Sequence, residues 1–337
     1  MTPDGVTARP NRPGHPVSTA LALTLLGVSL AAMTSCSLKR MALNKAAGML
    51  TAPSGNNAFT RDNDPELVGD ALPFAIKFYE SMLAAIPDHE GLRVRTGSLC
   101  ILYANAFLQT PADMISKTES DRKELLLQRA KNLYLRGRDL LIAGLEKRNP
   151  RLRQQWKERQ YKDASAPFTR KDVPALYWAA AGWVAAYAID PFDTKLGLTL
   201  PQAASLMNRV LQLDPGFSRG AVHNFFILYF GSLPDYMGGD TAKAREHFRL
   251  ALTASGNRDT SPYLSLASTV DVKEQNVEEF RSLLGKVLDF DPDSDPDNRL
   301  VNILNRRKAR WLLDHMDDFF LQEEKKNGSE GGGGCHE

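Results

Sequence analysis

An all-α fold follows from three observations. Between Asp64 and Leu321 apolar residues recur at intervals of three and four. Strand-like alternation and β-branched clusters are scarce. Prolines, among them Pro87, Pro111, Pro150, Pro174, Pro191, Pro201, Pro215, Pro234, Pro262 and Pro292, cut the region into pieces of ordinary helix length.

The chain of 337 residues carries 42 Lys or Arg against 40 Asp or Glu, a net charge of +2. Bulk electrostatics therefore gives no footing for nucleic-acid binding. Three cysteines, Cys36, Cys100 and Cys335, are too few and too scattered to staple the fold, so packing must hold it.

In chain order, the first element is a leader. Arg9, Arg12 and His15 precede an apolar run of 14 residues, Ala20 to Met33, followed by Thr34, Ser35 and Cys36. A helix crossing a hydrocarbon core needs roughly 17 to 25 residues, so the run reads as the apolar region of a signal peptide rather than a permanent span. MTSC resembles a lipobox, which implies acylation of Cys36 and cleavage before it; an uncleaved anchor and an ordinary secreted protein are the alternatives. Residues 1–35 are thus expected to be a removed signal peptide, and 36–63, ending in the turn-rich TAPSGNNAFTRDND, a lipidated cysteine and tether. The protein is expected to work outside the cytoplasm, held to a membrane through Cys36. Residues 322–337, with GSEGGGGCHE, read as a flexible tail.

The helical region 64–321 contains a recurrent pattern. Ala75, Tyr79, Met82, Leu83 and Pro87 follow the second-helix signature of a tetratricopeptide repeat: small, aromatic four residues on, an apolar pair, then Pro. Ala203, Met207, Val210, Leu211 and Pro215 repeat those offsets, as do Ala244, Phe248, Ala251, Leu252 and Gly256, and Phe280, Leu284, Val287, Leu288 and Pro292. A small residue lets two paired helices cross closely while the aromatic fills the adjoining groove. Spacings of 41 residues from Pro215 to Gly256 and 36 from Gly256 to Pro292 depart from the standard of about 34. The expected architecture is therefore a set of degenerate tetratricopeptide-like repeats stacked as an α-solenoid, with a long helical insert between Pro111 and Pro174. DNRLVNILNRRKARWLLDHMDDFFLQ is expected to be a carboxy-terminal capping helix.

Two segments are unusual. LYWAAAGWVAAYAI, Leu176 to Ile189, is apolar on almost every side and belongs in the middle of a bundle, with Trp178 and Trp183 either packing the core or walling an apolar cavity. HNFFILYFGSLPDYMGGD, His223 to Asp240, is dense in aromatics and then abruptly Gly-rich. Its six consecutive apolar residues cannot share one face of a helix, so some must meet a neighbouring repeat, another subunit or a ligand. Candidate ligand or partner residues are Trp178, Trp183, His223, Asn224, Tyr229, Tyr236, Gly238, Gly239 and Asp240.

No catalytic constellation emerges, and no cofactor is implied. DPDSDPD, Asp291 to Asp297, starts like a calcium loop, but Pro296 replaces the required Gly and Asn302 stands where a bidentate Glu should be. Turn and cap chemistry explains it better. There is no H-E-x-x-H, no G-x-S-x-G and no phosphate loop. The basic stretch Arg148 to Lys171 interleaves Trp156, Tyr161 and Phe168, and reads as a solvated loop, a lipid-headgroup contact or a subunit contact in preference to a nucleic-acid site.

The lipobox, the degenerate repeats, PALYWAAAGW and above all YFGSLPDYMGGDTAKAREHFRLAL, Tyr229 to Leu252, together resemble the TatT family, periplasmic lipoproteins associated with some TRAP transporters. The resemblance runs over most of residues 60 to 320. It implies a non-enzymatic homotrimer that binds the solute-binding P subunit of the transporter, and a pore or cleft through which a small hydrophobic ligand could reach that subunit. The alternative is a lipoprotein scaffold whose repeat groove binds protein segments and takes no small ligand.

Overall fold

The structure, a computed structural model, describes residues 40–51 and 58–321. Cys36, the leader and the tail 322–337 lie outside the described residues. Within them every regular element is helical and there is no strand.

Residues 40–51, placed by the sequence in a tether, are a helix. Ala47 is completely buried there against Met82, Leu83, Ile86 and Leu92, so the segment is docked on the body instead of trailing from it. Helix α1, Pro65–Ala85, starts at Asp64, whose Oδ1 accepts from the Leu67 amide at 3.0 Å, with Pro65 pre-set for the first turn. Helix α2, Glu90–Tyr103, is capped by His89 and runs into a π-helical turn, Ala104–Gln109. Helix α3, Ser120–Arg148, is the long helix of the insert. Behind it, Leu152–Lys157 and Tyr161–Ser165 are short helices whose Leu152, Trp156 and Ala164 enter the core. Trp156 and Phe168, aromatics of the basic stretch, are buried, while Arg148 and Arg153 pair with Glu90 and Glu146.

Helix α4, Val173–Ile189, packs on α3, and α2, α3 and α4 meet through glycines. A Cβ on Gly137 would stand 2.6 Å from the Gly97 carbonyl oxygen, and one on Gly182 would stand 2.8 Å from Ile101. No other residue fits so close a crossing. Cys100 is fully buried nearby, and burial pushes its thiol up to about 11.

Helix α5, Leu200–Leu213, covers another side of α4. Helix α6, Phe217–Ser232, opens with three left-handed residues, Ser218, Arg219 and Gly220, at φ of 48°, 62° and 81°. This turn is tied down by the Arg219 guanidinium on the buried Asp295 carboxylate. Helix α7, Thr241–Ser255, forms a hairpin with α6. Helix α8, Ser261–Leu266, continues through a second π-helical turn, Ala267–Asp271, before α9, Val277–Asp289, and α10, Arg299–Asp314.

The pattern residues do core work: Ala203, Met207, Val210, Ala244, Ala251, Phe280, Leu284 and Val287 are all buried. The arrangement of the ends differs from a simple stack. Helix α10, expected as a cap on one end, packs on α9 and also returns to the start of the chain, where Leu300 joins Val68, Leu72, Leu99 and Cys100. Arg307 pairs with Glu66, joining α10 to α1, and Arg61 pairs with Asp297, joining the segments that lead into those two helices. An amphipathic last helix exposes an apolar stripe that must be covered, and the open side of α1 and α2 is there to cover it.

Candidate functional site

The residues singled out by sequence fall into three places. Trp183 is buried, edge-on to Trp156 with ring centres 5.7 Å apart, with the Arg138 guanidinium 4.9 Å from its ring centre. Its Nε1 donates to Thr199 Oγ1 at 2.9 Å. Trp178, five residues earlier, is half-buried and meets Tyr177, which in turn meets Phe217. The two tryptophans thus have separate neighbours and do not form one wall.

The second place is the α6–α7 hairpin. Buried His223 and half-buried His247 face each other with their Nδ1 atoms 3.0 Å apart, one donating to the other. Phe226 and Phe230 stack on the His247 ring at 4.7 and 5.9 Å, and Tyr229 stacks on Phe225. Burial favours the neutral imidazole, holding His223 down at about 4, and lowers His247 as well. Asn224 Oδ1 is buried with no hydrogen-bond partner among the described residues. Most of the aromatic run therefore stacks within its own hairpin, which is how six consecutive apolar residues are accommodated.

The third place is the turn between these helices. Pro234 O accepts from the Met237 and Gly239 amides at 2.9 and 3.0 Å. Gly238 has φ of 97°, and a Cβ on Gly239 would lie 1.9 Å from the Leu233 carbonyl oxygen. Asp240 caps α7, its Oδ1 accepting from the Lys243 amide at 3.0 Å. Gly238, Gly239 and Asp240 are accordingly the chemistry of a tight helical hairpin, and what they present is Tyr236, 89% exposed at the tip.

Sequence reasoning missed what lies beside that tip. Tyr187, near the end of α4, donates from its hydroxyl to Met237 Sδ at 3.7 Å, and its ring lies 3.4 Å from where a Cβ on Gly197 would stand. It therefore joins the turn 233–240 to the loop 190–199. That loop carries Phe192 and Leu198, 93% and 80% exposed. Lys131 holds the loop by donating to Asp190 and Asp193 at 2.9 and 3.0 Å, which keeps the Asp193 carboxyl below its ordinary range. On the other side Lys273 holds Asp235 at 2.7 Å. Three large apolar side chains, Phe192, Leu198 and Tyr236, are thus displayed at one end of the molecule on two braced loops. The signal for Phe192 was DPFD: a large aromatic between two turn-forming acids has no helix face through which to reach the core.

Arg245, on α7, is a further group that sequence did not mark. It donates to Glu274 and Glu279 at 2.7 and 2.8 Å and lies 3.5 Å from the fully buried Asp271. Burial, with the Glu279 charge beside it, raises the Asp271 carboxyl. Among the described residues no cluster of three or more His, Cys, Asp or Glu could hold a metal ion. No described helix is long and apolar enough to cross a membrane.

Comparison with known proteins gives the class. The family described as TAtT, TRAP transporter T-component, matches residues 61–320. The chain belongs to this family, an accessory component of TRAP transporters and not an enzyme family. A protein of Treponema pallidum (strain Nichols), described as uncharacterized, is 33% identical over 301 residues, 85% of this chain and 93% of that protein.

Proposed function

We propose that the protein is a membrane-tethered periplasmic accessory subunit that docks the solute-binding P subunit of a TRAP transporter and passes it a small hydrophobic ligand. Family membership supplies the transporter. The observation that carries docking is the exposed set Phe192, Leu198 and Tyr236 on braced loops. Aromatic side chains on rigid supports supply large contact area at small entropic cost, which is the character of interface hot spots. In this reading Cys36 carries the lipid after removal of residues 1–35, the working unit is a homotrimer, and the ligand passes through a pore or cleft beside Trp178 and Tyr229.

The test is binding of the purified P subunit of the same transporter, followed by biolayer interferometry. Phe192→Ala with Tyr236→Ala should weaken the complex at least about tenfold, with the helical circular dichroism unchanged. Unaltered affinity would remove docking from these loops. Loss of small-ligand binding in Trp178→Ala or Tyr229→Ala with P-subunit binding intact supports the conduit; no small ligand in the wild type leaves only the protein scaffold.

A further inference from the structure

Thirteen large apolar residues are exposed among the described residues, and six of them, Met41, Met49, Leu50, Leu67, Phe74 and Phe78, lie on the first two long helices after Cys36. On α1 they form an ordered stripe. Leu67, Ala71, Phe74, Phe78, Ser81 and Ala85 are all exposed and, at about 100° per residue, fall within an arc of about 80°. The one polar member, Ser81, turns its hydroxyl back to the Lys77 carbonyl oxygen at 2.9 Å. The opposite side of α1, Val68, Leu72, Ile76, Met82 and Leu83, is buried.

On the helix over 40–51 Leu43 and Ala47 face the body, and Met41, Met49 and Leu50 are exposed on its other sides, spread over about 180°. Tyr79 joins the two helices: its hydroxyl donates to the Leu50 carbonyl oxygen at 3.5 Å, and its ring lies 5.9 Å from Phe78, which stacks on Phe74 at 6.3 Å. The charges around this face are Arg40 and Lys45 on the shorter helix and Asp70, Lys77 and Glu66 on α1. Lys77 is paired with Glu80, Glu66 with Arg307, and Asp88, at the end of α1, with Lys147 and Arg40. These pairs engage Arg40 and Lys77 as well as the acids, which leaves Lys45 and Asp70, of opposite sign, as the unpaired charges beside the stripe among the described residues.

The geometry points to a phospholipid bilayer surface as the occupant of this face. The chain-length argument rests on the reading that Cys36 carries a lipid: only three residues separate Cys36 from Arg40, so their Cα atoms are at most about 14 Å apart. A lipid seated in the leaflet holds the start of the helix over 40–51 at the headgroup layer, and that helix is docked by Ala47 on α1. An exposed apolar stripe carried on a helix this close to a lipid is the arrangement that lies in a membrane interface, apolar side chains at the acyl boundary and the paired charges beside it at headgroup level. The lipid and the stripe then act as two linked attachments, which together fix the orientation of the body as one flexible attachment cannot.

The experiment uses the protein purified from its membrane and reconstituted into vesicles of phosphatidylethanolamine with a minority of phosphatidylglycerol. The intact mass of its amino terminus is measured first. Hydroxyl-radical oxidation of Met41, Met49, Phe74 and Phe78 should then be several-fold lower in the vesicles than at the same residues of the Cys36→Ser chain in solution, while that of Phe192 and Tyr236 is unchanged. Equal oxidation on a chain whose Cys36 is acylated overturns the bilayer contact and leaves the anchor standing. A mature chain without acyl groups overturns the anchor, and the length argument with it. Phe74→Ser with Phe78→Ser should abolish protection of Met41 and Met49 without altering the oligomer size measured by light scattering. A change in oligomer size would show that a second copy of the chain, not lipid, covers the stripe.

Discussion

Helices α4 and α1 both carry large apolar side chains on more than one side, yet those side chains meet opposite fates. In α4, Leu176, Ala179, Ala180, Gly182, Trp183 and Ala186 are all buried, because α2, α3 and α5 surround it and its small residues let them come close. In α1, Leu67, Phe74 and Phe78 stay in solvent. Helix α1 is covered by α2 on one side and by α10 and the helix over 40–51 along others, which leaves one arc with nothing on it. An apolar face announces that covering is needed and says nothing about what covers it.

The largest effect should come from the buried side of this contrast. Trp183→Ala removes the contact with Trp156, the Arg138 stacking and the Thr199 hydrogen bond together. The expected loss is about 3 to 5 kcal/mol of unfolding free energy, read as a lower urea midpoint. A loss below about 1 kcal/mol would mean that the helices around α4 collapse into the space, against the rigid glycine crossings of Gly97, Gly137 and Gly182.

A smaller effect should come from the α6–α7 hairpin. His223 is held at about 4 by burial, against an ordinary value near 6.5. As pH falls through 6.5 the unfolded chain takes up a proton that the folded chain refuses, so stability present above pH 6.5 is lost toward pH 4. The amount is about 3 kcal/mol, at about 1.36 kcal/mol per pH interval of the shift. Asp271 works in the opposite direction, because its carboxyl is raised and the folded state holds its proton more firmly as pH falls. The measurement is therefore the difference between wild type and His223→Gln across that window, with the variant losing less on acidification. Parallel curves would remove His223 from the balance.

Much of the fold was legible because helices leave periodic traces. The offsets at Ala203, Met207 and Val210, or Phe280, Leu284 and Val287, mark positions that are buried, and Pro and Gly set the ends. The return of α10 to α1 was not legible, because Leu300 meets Val68 and Leu72 across the whole chain and no local pattern encodes a partner. The helix over 40–51 was read as tether because its stability comes from Ala47 docking on α1, a tertiary contribution to a segment too short to stand alone. At the candidate site, GGD was found but its role was not. Its glycines are demanded by a left-handed turn and a close carbonyl contact, and the residue of interest is the one they display, Tyr236. Phe192 and Leu198 join it only through Tyr187, a contact that spans two loops.

The smallest effect completes the contrast between α1 and α4. Phe74 is 75% exposed and stacks on the Phe78 ring. Phe74→Ala in solution, away from any bilayer, should change unfolding free energy by no more than about 0.5 kcal/mol, as exposed substitutions do. The same deletion of a large aromatic would then cost several times less than at Trp183. A cost above about 1.5 kcal/mol would fall outside the range for an uncovered site. It would mean that α1 is already covered in solution, by another copy of the chain or by residues outside those described.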